Sequence, residues 1–272
     1  MGGDAAGVQA PPEDAVAEVA RALRRARRVL VVTGAGVSAD SGLPTYRGVG
    51  GLYDGAGTDE GIPIELALSG PMLRTHPEIS WKYIYEIENA CRGARPNDAH
   101  RVLAALQDEL AWVGVLTQNV DGFHAQAGSR TLVEIHGRIH QLRCTSCRWH
   151  TRVPDYAALD IPPRCPACGA IVRPDVVLFG EMLPELAVST LMAWQAEPAD
   201  VVLSVGTTSA FPYIAGPVLQ ARREGALTVE INPGRSEVSE VVDIRIAAGA
   251  ADTLRAIWTA LGHRVDALGE VP

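Results

Sequence analysis

The run Val29-Leu30-Val31-Val32, followed at once by Thr33-Gly34-Ala35-Gly36, constrains the fold more than any other stretch of the chain. Four consecutive apolar, mostly β-branched residues leave no polar face, so the strand they form must be covered on both sides, as strands of a parallel sheet are. The small residues directly after it let the backbone turn sharply at the strand's carboxyl end. Runs of the same kind recur at Trp112–Leu116, Asp200–Val205, Thr228–Ile231 and Ile244–Ala247. Helical patterns lie between them. An entry helix over Glu13–Arg28 carries Val16, Val19, Ala20, Leu23 and Ala26 on one face, and others fall at Asp98–Leu110, Pro184–Gln195, Pro212–Arg223 and Asp252–Leu261. Alternation on this scale predicts an α/β fold, a doubly wound, Rossmann-like parallel sheet with helices on both faces.

Two stretches break the alternation. Residues 48–72 are rich in Gly, Asp and Pro with weak periodicity, and a loop of that length in a compact domain is usually functional, here a cover over the site. The second break, 137–173, holds four of the five cysteines. The expected organisation is a disordered leader (1–12), a discontinuous nucleotide-binding domain (13–136 and 174–262) that includes the 48–72 cofactor loop, an inserted module (137–173) and a tail (263–272).

A chain of 272 residues that is 47% apolar buries a large core and a minor lobe without disulfides. Its net charge of −8 gives no global attraction to nucleic acid or anionic membrane and suits a cationic, lysine-rich partner. His140, Arg143, Arg148, His150 and Arg152 form a modest basic cluster that reads as a solvated face, so nucleic acid is not expected. The apolar runs are far shorter than the roughly 20 residues of a membrane-spanning helix. With an odd cysteine count and no secretory leader pattern, a reducing cytoplasm is expected.

Cys144-x-x-Cys147 and Cys165-x-x-Cys168 have the spacing of a zinc ribbon, in which two knuckles offer four thiolates to one tetrahedral ion. Four protein ligands leave no open coordination position, so a Zn2+ here is expected to be structural; two disulfides are the competing reading. Cys91 lies outside the pattern and reads as a plain buried residue.

The turn Gly34-Ala35-Gly36-Val37-Ser38-Ala39 fits the loose G-x-G-x-x-A dinucleotide fingerprint at a strand end. It then continues as Asp40-Ser41-Gly42-Leu43-Pro44-Thr45-Tyr46-Arg47-Gly48, where an ordinary Rossmann unit would run straight into a helix. After the Trp112 strand come Gln118, Asn119 and Asp121, whose amide and carboxylate groups can grip a ribose or a carboxamide, although Asp121 also reads as a helix cap. His136 closes another apolar run just before Gly137 and is a candidate general base, with His124 and His140 as alternatives that spacing alone does not separate. Gly206-Thr207-Thr208-Ser209, Asn232-Pro233-Gly234 and Gly249-Ala250 end three further strands. Each reads by itself as a helix cap; together they line the one sheet edge where α/β folds bind ligands.

In this order, these segments together with Gln118-Asn119-Val120-Asp121, His136-Gly137, the paired cysteines and Val177-Leu178-Phe179-Gly180-Glu181 resemble the motifs of the sirtuins, from about Val29 to Leu261. The resemblance implies an NAD-dependent protein-lysine deacylase that consumes NAD. An acyl-lysine carbonyl oxygen attacks C1′ of the nicotinamide ribose as nicotinamide leaves. The 2′-hydroxyl then completes acyl transfer to give free lysine and O-acyl-ADP-ribose. By the same resemblance His136 is the general base, and Asn119 and Asp121 act with it at the nicotinamide end. The cofactor set becomes Gly34, Ala35, Gly36, Ser38, Asp40, Thr45, Tyr46, Arg47, Tyr53, Gln118, Asn119, Val120, Asp121, Gly206, Thr207, Thr208, Ser209, Asn232, Pro233, Gly234 and Ala250. Val177, Leu178, Phe179, Gly180 and Glu181 are similar to the strand that pairs with substrate backbone.

Thr45, Pro96-Asn97 and Cys144-Thr145-Ser146-Cys147 look most like the branch that includes desuccinylases, whose tyrosine and arginine grip an acyl carboxylate. The aligned positions here are Ile84 and Ile87, so acetyl or longer uncharged acyl groups are expected in place of succinyl. Rival readings are a protein ADP-ribosyltransferase or NAD hydrolase on the same site, a dehydrogenase, and a non-catalytic NAD-sensing scaffold. Composition leaves the oligomeric state open.

Overall fold

The structure, a computed structural model, describes residues 10–44 and 58–268; Thr45, Tyr46, Arg47 and Tyr53 of the expected cofactor set lie outside these residues. Helix α1 (Glu13–Arg25) leads into β1 (Arg28–Thr33). After the small-residue turn come α2 (Ile64–Ala67), α3 (Gly70–Thr75), α4 (Pro77–Cys91) and α5 (Asp98–Glu109), then β2 (Trp112–Thr117), α6 (Phe123–Gln126) and β3 (Leu132–Glu134). Strands β4 (Gly137–Cys144), β5 (His150–Arg152) and β6 (Val172–Val176) follow. Next come α7 (Glu185–Gln195), β7 (Val201–Val205), α8 (Pro212–Glu224), β8 (Leu227–Ile231), β9 (Ile244–Ile246) and α9 (Ala250–Ala260).

The expected parallel sheet is present, six-stranded in the order β3-β2-β1-β7-β8-β9. In β1, Val29 and Val31 enter the core beneath α1, α5 and α9, while Leu30 and Val32 enter the opposite core beneath α7 and α8. This is the physical reason for the unbroken apolar run, since alternate residues serve two different cores. The strand order changes direction between β1 and β7, and a crevice opens at such a switch point on the carboxyl edge.

The cysteine region forms a second, antiparallel sheet in the order β5-β4-β6. Its apolar side shares a core with α4: Trp81, Tyr83, Ile84 and Ile87 pack with Ile139, Leu142, Tyr156 and Val172. The Trp81 indole donates to the Val172 carbonyl at 2.9 Å, and its ring lies 5.4 Å from that of Tyr156.

Two expectations are corrected. The 48–72 stretch is not loop throughout, because its described end folds into α2 and the start of α3. Ser69 caps α3, accepting from Met72 N–H, with Pro71 in the first turn; helices of four and six residues are too short to display periodicity. Residues 263–268 are not a free tail either. Trp258 stacks on His263, its indole donates to the Arg264 carbonyl, and Leu268 is buried against the main core.

Candidate active site at the carboxyl edge of the sheet

Backbone contacts fasten the turn after β1 to the turn after β7. Gly34 N–H donates to Val205 O (3.2 Å) and Gly36 N–H to Gly206 O (2.8 Å). A Cβ on Gly36 would lie 2.7 Å from Gly206 Cα, and one on Gly206, whose φ is +59°, would lie 2.3 Å from Val37 N. Only glycine permits that approach.

Below this turn Ser38 is the hub of a buried polar group. Its hydroxyl donates to Asp121 Oδ2 (2.8 Å) and accepts from Asn119 Nδ2 (3.1 Å), with His100 Nε2 at 3.3 Å. Because the one hydrogen of the Ser38 hydroxyl goes to Asp121, Ser38 can only accept from His100 Nε2, while His100 Nδ1 lies 3.3 Å from the Asn97 backbone N and 3.2 Å from Asn97 Oδ1. Burial holds His100 well below the usual histidine range, which keeps it neutral. Burial also raises the Asp121 carboxyl, opposed by donation from Phe123 N–H and Ser38. Asp121 Oδ1 accepts from the Phe123 N–H at the start of α6 (2.9 Å), and Asp121 also lines the cavity. Ala35, Ser38, Leu43, Pro44, Ile87, Cys91, Asn119, Val120, Asp121 and Ile139 line one cavity, whereas Ile84 lies in the packed core.

Gln118 donates through Nε2 to Thr207 Oγ1 (2.7 Å), and Asn232 Nδ2 donates to the Thr207 carbonyl (2.9 Å), so three strand ends converge on one threonine. Ser209 sits at φ +53°, held by its N–H on Thr207 Oγ1. Thr208, Pro233 and Gly234 are exposed at the rim, and Ala250 is buried. The Asp40 carboxylate accepts from Ala251 N–H (3.0 Å) in the first turn of α9, where the helix dipole favours an anion.

His136 is separated from its two alternatives by surroundings. His124 is fully buried with Nε2 on Thr33 Oγ1 (2.9 Å), and burial pushes it down to about 3. His140 faces the buried Glu88 at 3.5 Å. His136, half-buried, has Nδ1 at 3.0 Å from the Gln118 carbonyl and Nε2 at 2.9 Å from the Tyr213 hydroxyl. Burial lowers it, and the Gln118 carbonyl opposes that. Its own carbonyl accepts from Val177 N–H, tying it to the segment beyond β6. In that segment Phe179 already pairs on one side, donating to Leu68 O and accepting from Gly70 N–H. Glu181 accepts both Leu178 N–H and a two-pronged contact from the buried Arg173 (2.5 and 2.8 Å), with Gly180 at φ +77°. Sequence reasoning missed His100, Arg173 and Tyr213; the capping pattern from Asn97 to His100 was a legible signal for the first.

The four cysteine Sγ atoms lie within 4.8 Å of one another, with neighbours at 3.5–3.6 Å. That is too far for a disulfide. It fits sulfurs around a tetrahedral Zn2+, which sit about 3.8 Å apart when each Zn–S bond is about 2.3 Å. The Ser146 amide, then the Cys147 amide, aim at Cys144 Sγ and hold its thiol down.

A sequence model of the Sir2 family matches residues 34–211. The chain belongs to the Sir2 family. This sirtuin is 53% identical over 242 residues to the NAD-dependent protein deacylase 2 of Pseudomonas aeruginosa, covering 88% of the chain and 94% of the relative. It is 37% identical over 254 residues to the NAD-dependent protein deacylase of Aeropyrum pernix (92% and 98%). Among solved structures it is similar to a Sir2 homologue in complex with NAD (TM-score 0.78, 32% identity, 90% and 94% covered). It is also similar to a Sir2 protein with a deacetylated p53 peptide and 3'-O-acetyl ADP ribose (TM-score 0.82, 26% identity, 91% and 98% covered). The family match encloses the whole cysteine module of this sirtuin and stops at Phe211, two residues before Tyr213.

Proposed function

We propose that this chain is an NAD-dependent protein-lysine deacylase acting on acyl-lysine proteins or peptides. The observation that carries the reading is His136, an imidazole lowered by burial, with Nδ1 on the Gln118 carbonyl and Nε2 as an acceptor for the Tyr213 hydroxyl, on a Sir2-family scaffold. When bound, NAD supplies a ribose C1′ made electrophilic by its nicotinamide leaving group. The chain's own residues do the rest. Asn119 and Asp121 hold the nicotinamide-ribose end, and Gln118, Thr207 and Asn232 fix the turns that receive the ribose and phosphates. His136 Nε2 is the base that ends protonated when a ribose hydroxyl gives up its proton. Val177 to Glu181, braced by Arg173, offers backbone to an extended acyl-lysine peptide. Cys144, Cys147, Cys165 and Cys168 would hold a Zn2+ that fastens the small module, a structural role with all four ligand positions filled by protein.

Among the described residues no cation lines the cavity; Arg92 is engaged with Glu88, and Lys82 with Asp59 and Glu60. A succinyl carboxylate entering there would meet the Asp121 carboxyl, which favours acetyl or longer uncharged groups. No described helix is long and apolar enough to cross a membrane, and we place the enzyme in the cytoplasm.

Mass spectrometry of purified protein with NAD and acetyl, decanoyl and succinyl lysine peptides, beside His136→Ala, tests this. NAD-dependent formation of O-acyl-ADP-ribose that vanishes in the variant is expected. NAD loss without deacylation would move the assignment to an NAD hydrolase or ADP-ribosyltransferase, and efficient succinyl removal would overturn the acyl preference.

A further inference from the structure

Tyr213 lies outside every motif read from the sequence, yet it touches His136. It sits on the first turn of α8, its ring stacked on Phe211 with centroids 5.3 Å apart and planes 10° apart. The imidazole of His136 stands edge-on to both rings, at 5.9 Å from Tyr213 and 6.0 Å from Phe211. The backbone carbonyl of Gln118 can only accept, so the imidazole nitrogen 3.0 Å from it, Nδ1, carries the proton. Nε2 then has one lone pair and no hydrogen, and the Tyr213 hydroxyl 2.9 Å away must donate into it. The directions of both bonds are fixed by chemistry.

This arrangement matters for a base. The lone pair that must take a proton already receives the phenol hydrogen, while Tyr213 Oη keeps its own lone pairs for another donor. We propose that Tyr213 is a catalytic proton relay between the co-substrate's ribose hydroxyl and His136. As the ribose O–H bond breaks, a new Tyr213 O–H bond forms; the original Tyr213 proton passes to Nε2. The phenol ends neutral, the imidazole ends as the cation, and the ribose oxygen keeps the electron pair with which it attacks. Stacking on Phe211 from one side and the Gln118 carbonyl at the far nitrogen hold the two rings in register for the transfer.

The relay rests on the deacylase reading and serves only the step in which a ribose hydroxyl becomes a nucleophile. Departure and return of nicotinamide at C1′ do not need it. The test therefore compares two rates in one protein, with NAD and an acetyl-lysine peptide: net deacylation, and exchange of isotopically labelled nicotinamide into NAD. Tyr213→Phe keeps the ring and removes only the hydroxyl. It is expected to slow deacylation about tenfold or more while exchange stays within about twofold, in the direction shown more strongly by His136→Ala. Phe211→Leu, which keeps the hydroxyl but loosens its stack, is expected to give a smaller split of the same sign. Equal loss of both rates in Tyr213→Phe, or undiminished deacylation, would overturn the relay. A wild-type chain that neither exchanges nor deacylates would instead overturn the deacylase reading.

Discussion

The Ser38 hydroxyl donates to Asp121 Oδ2 at 2.8 Å, joining the turn after β1 to the turn after β2 beneath the crevice. Because Asp121 is buried and its carboxyl is already raised, loss of this donor leaves a charge short of a partner. Ser38→Ala is expected to lower kcat/KM for NAD by about ten- to a hundredfold and stability by about 1–3 kcal/mol. NAD titrations under saturating peptide, with a thermal unfolding curve, check it; unchanged NAD kinetics would refute the role given to this contact.

The acid limb of activity should report His136. A protonated imidazole cannot accept a proton, and burial lowers this histidine, so activity falls only below the ordinary histidine value of about 6.5. A kcat/KM profile in peptide and NAD whose acid midpoint lies at or above that value would contradict the burial argument.

His124 makes a stability prediction with the opposite readout, since it touches no expected substrate. Its folded value of about 3 lies below its unfolded value, so between the two the unfolded chain binds more protons and stability falls as pH falls. At pH 5 the loss attributable to it is about 2 kcal/mol. Thermal unfolding of the wild type and His124→Gln between pH 5 and 8 should show the shallower pH slope in the variant, and parallel slopes would exclude this group as the cause.

Metal analysis is expected to find one Zn2+ per chain. Stripping it with a strong chelator should release that ion, unfold the β4–β6 sheet and abolish deacylation, because the core of that sheet includes Cys144 and Cys165 themselves. Full activity in zinc-free protein would show that the thiolates are dispensable.

Gly206→Ala places a methyl group 2.3 Å from Val37 N at a residue with positive φ, with no flexible side chain to give way. A loss of about 2 kcal/mol or more in urea unfolding is expected, with weakened NAD binding by calorimetry. A variant as stable as the wild type would mean that the two turns can separate.

The sheet was legible in the sequence because a strand buried on both faces writes an unbroken apolar run, as Val29 to Val32 does. The cysteines were legible because metal ligation needs fixed spacing. What escaped detection depends on distance in space and leaves no period along the chain. In the sequence Glu181 is one residue of a motif and nothing links it to Arg173 until the turn through Gly180 brings them together. Asp40 looks like part of a cofactor turn, and only the fold shows that Ala251 is its partner. Tyr213 follows a proline at a helix start, an ordinary place for an aromatic residue, and nothing local marks its neighbour 77 positions earlier.

The pairing of β1 with β7 also orders events during synthesis of the chain. Strand β1 is made early, but the partners that shape its glycine turn, Val205 and Gly206, emerge from the ribosome only after the whole cysteine module has been translated. The nascent chain must therefore carry the β7-facing edge of β1 unpaired, and its Leu30 and Val32 face without the cover of α7 and α8, until those later elements are made, a period in which transiently uncovered apolar surface invites aggregation or chaperone capture.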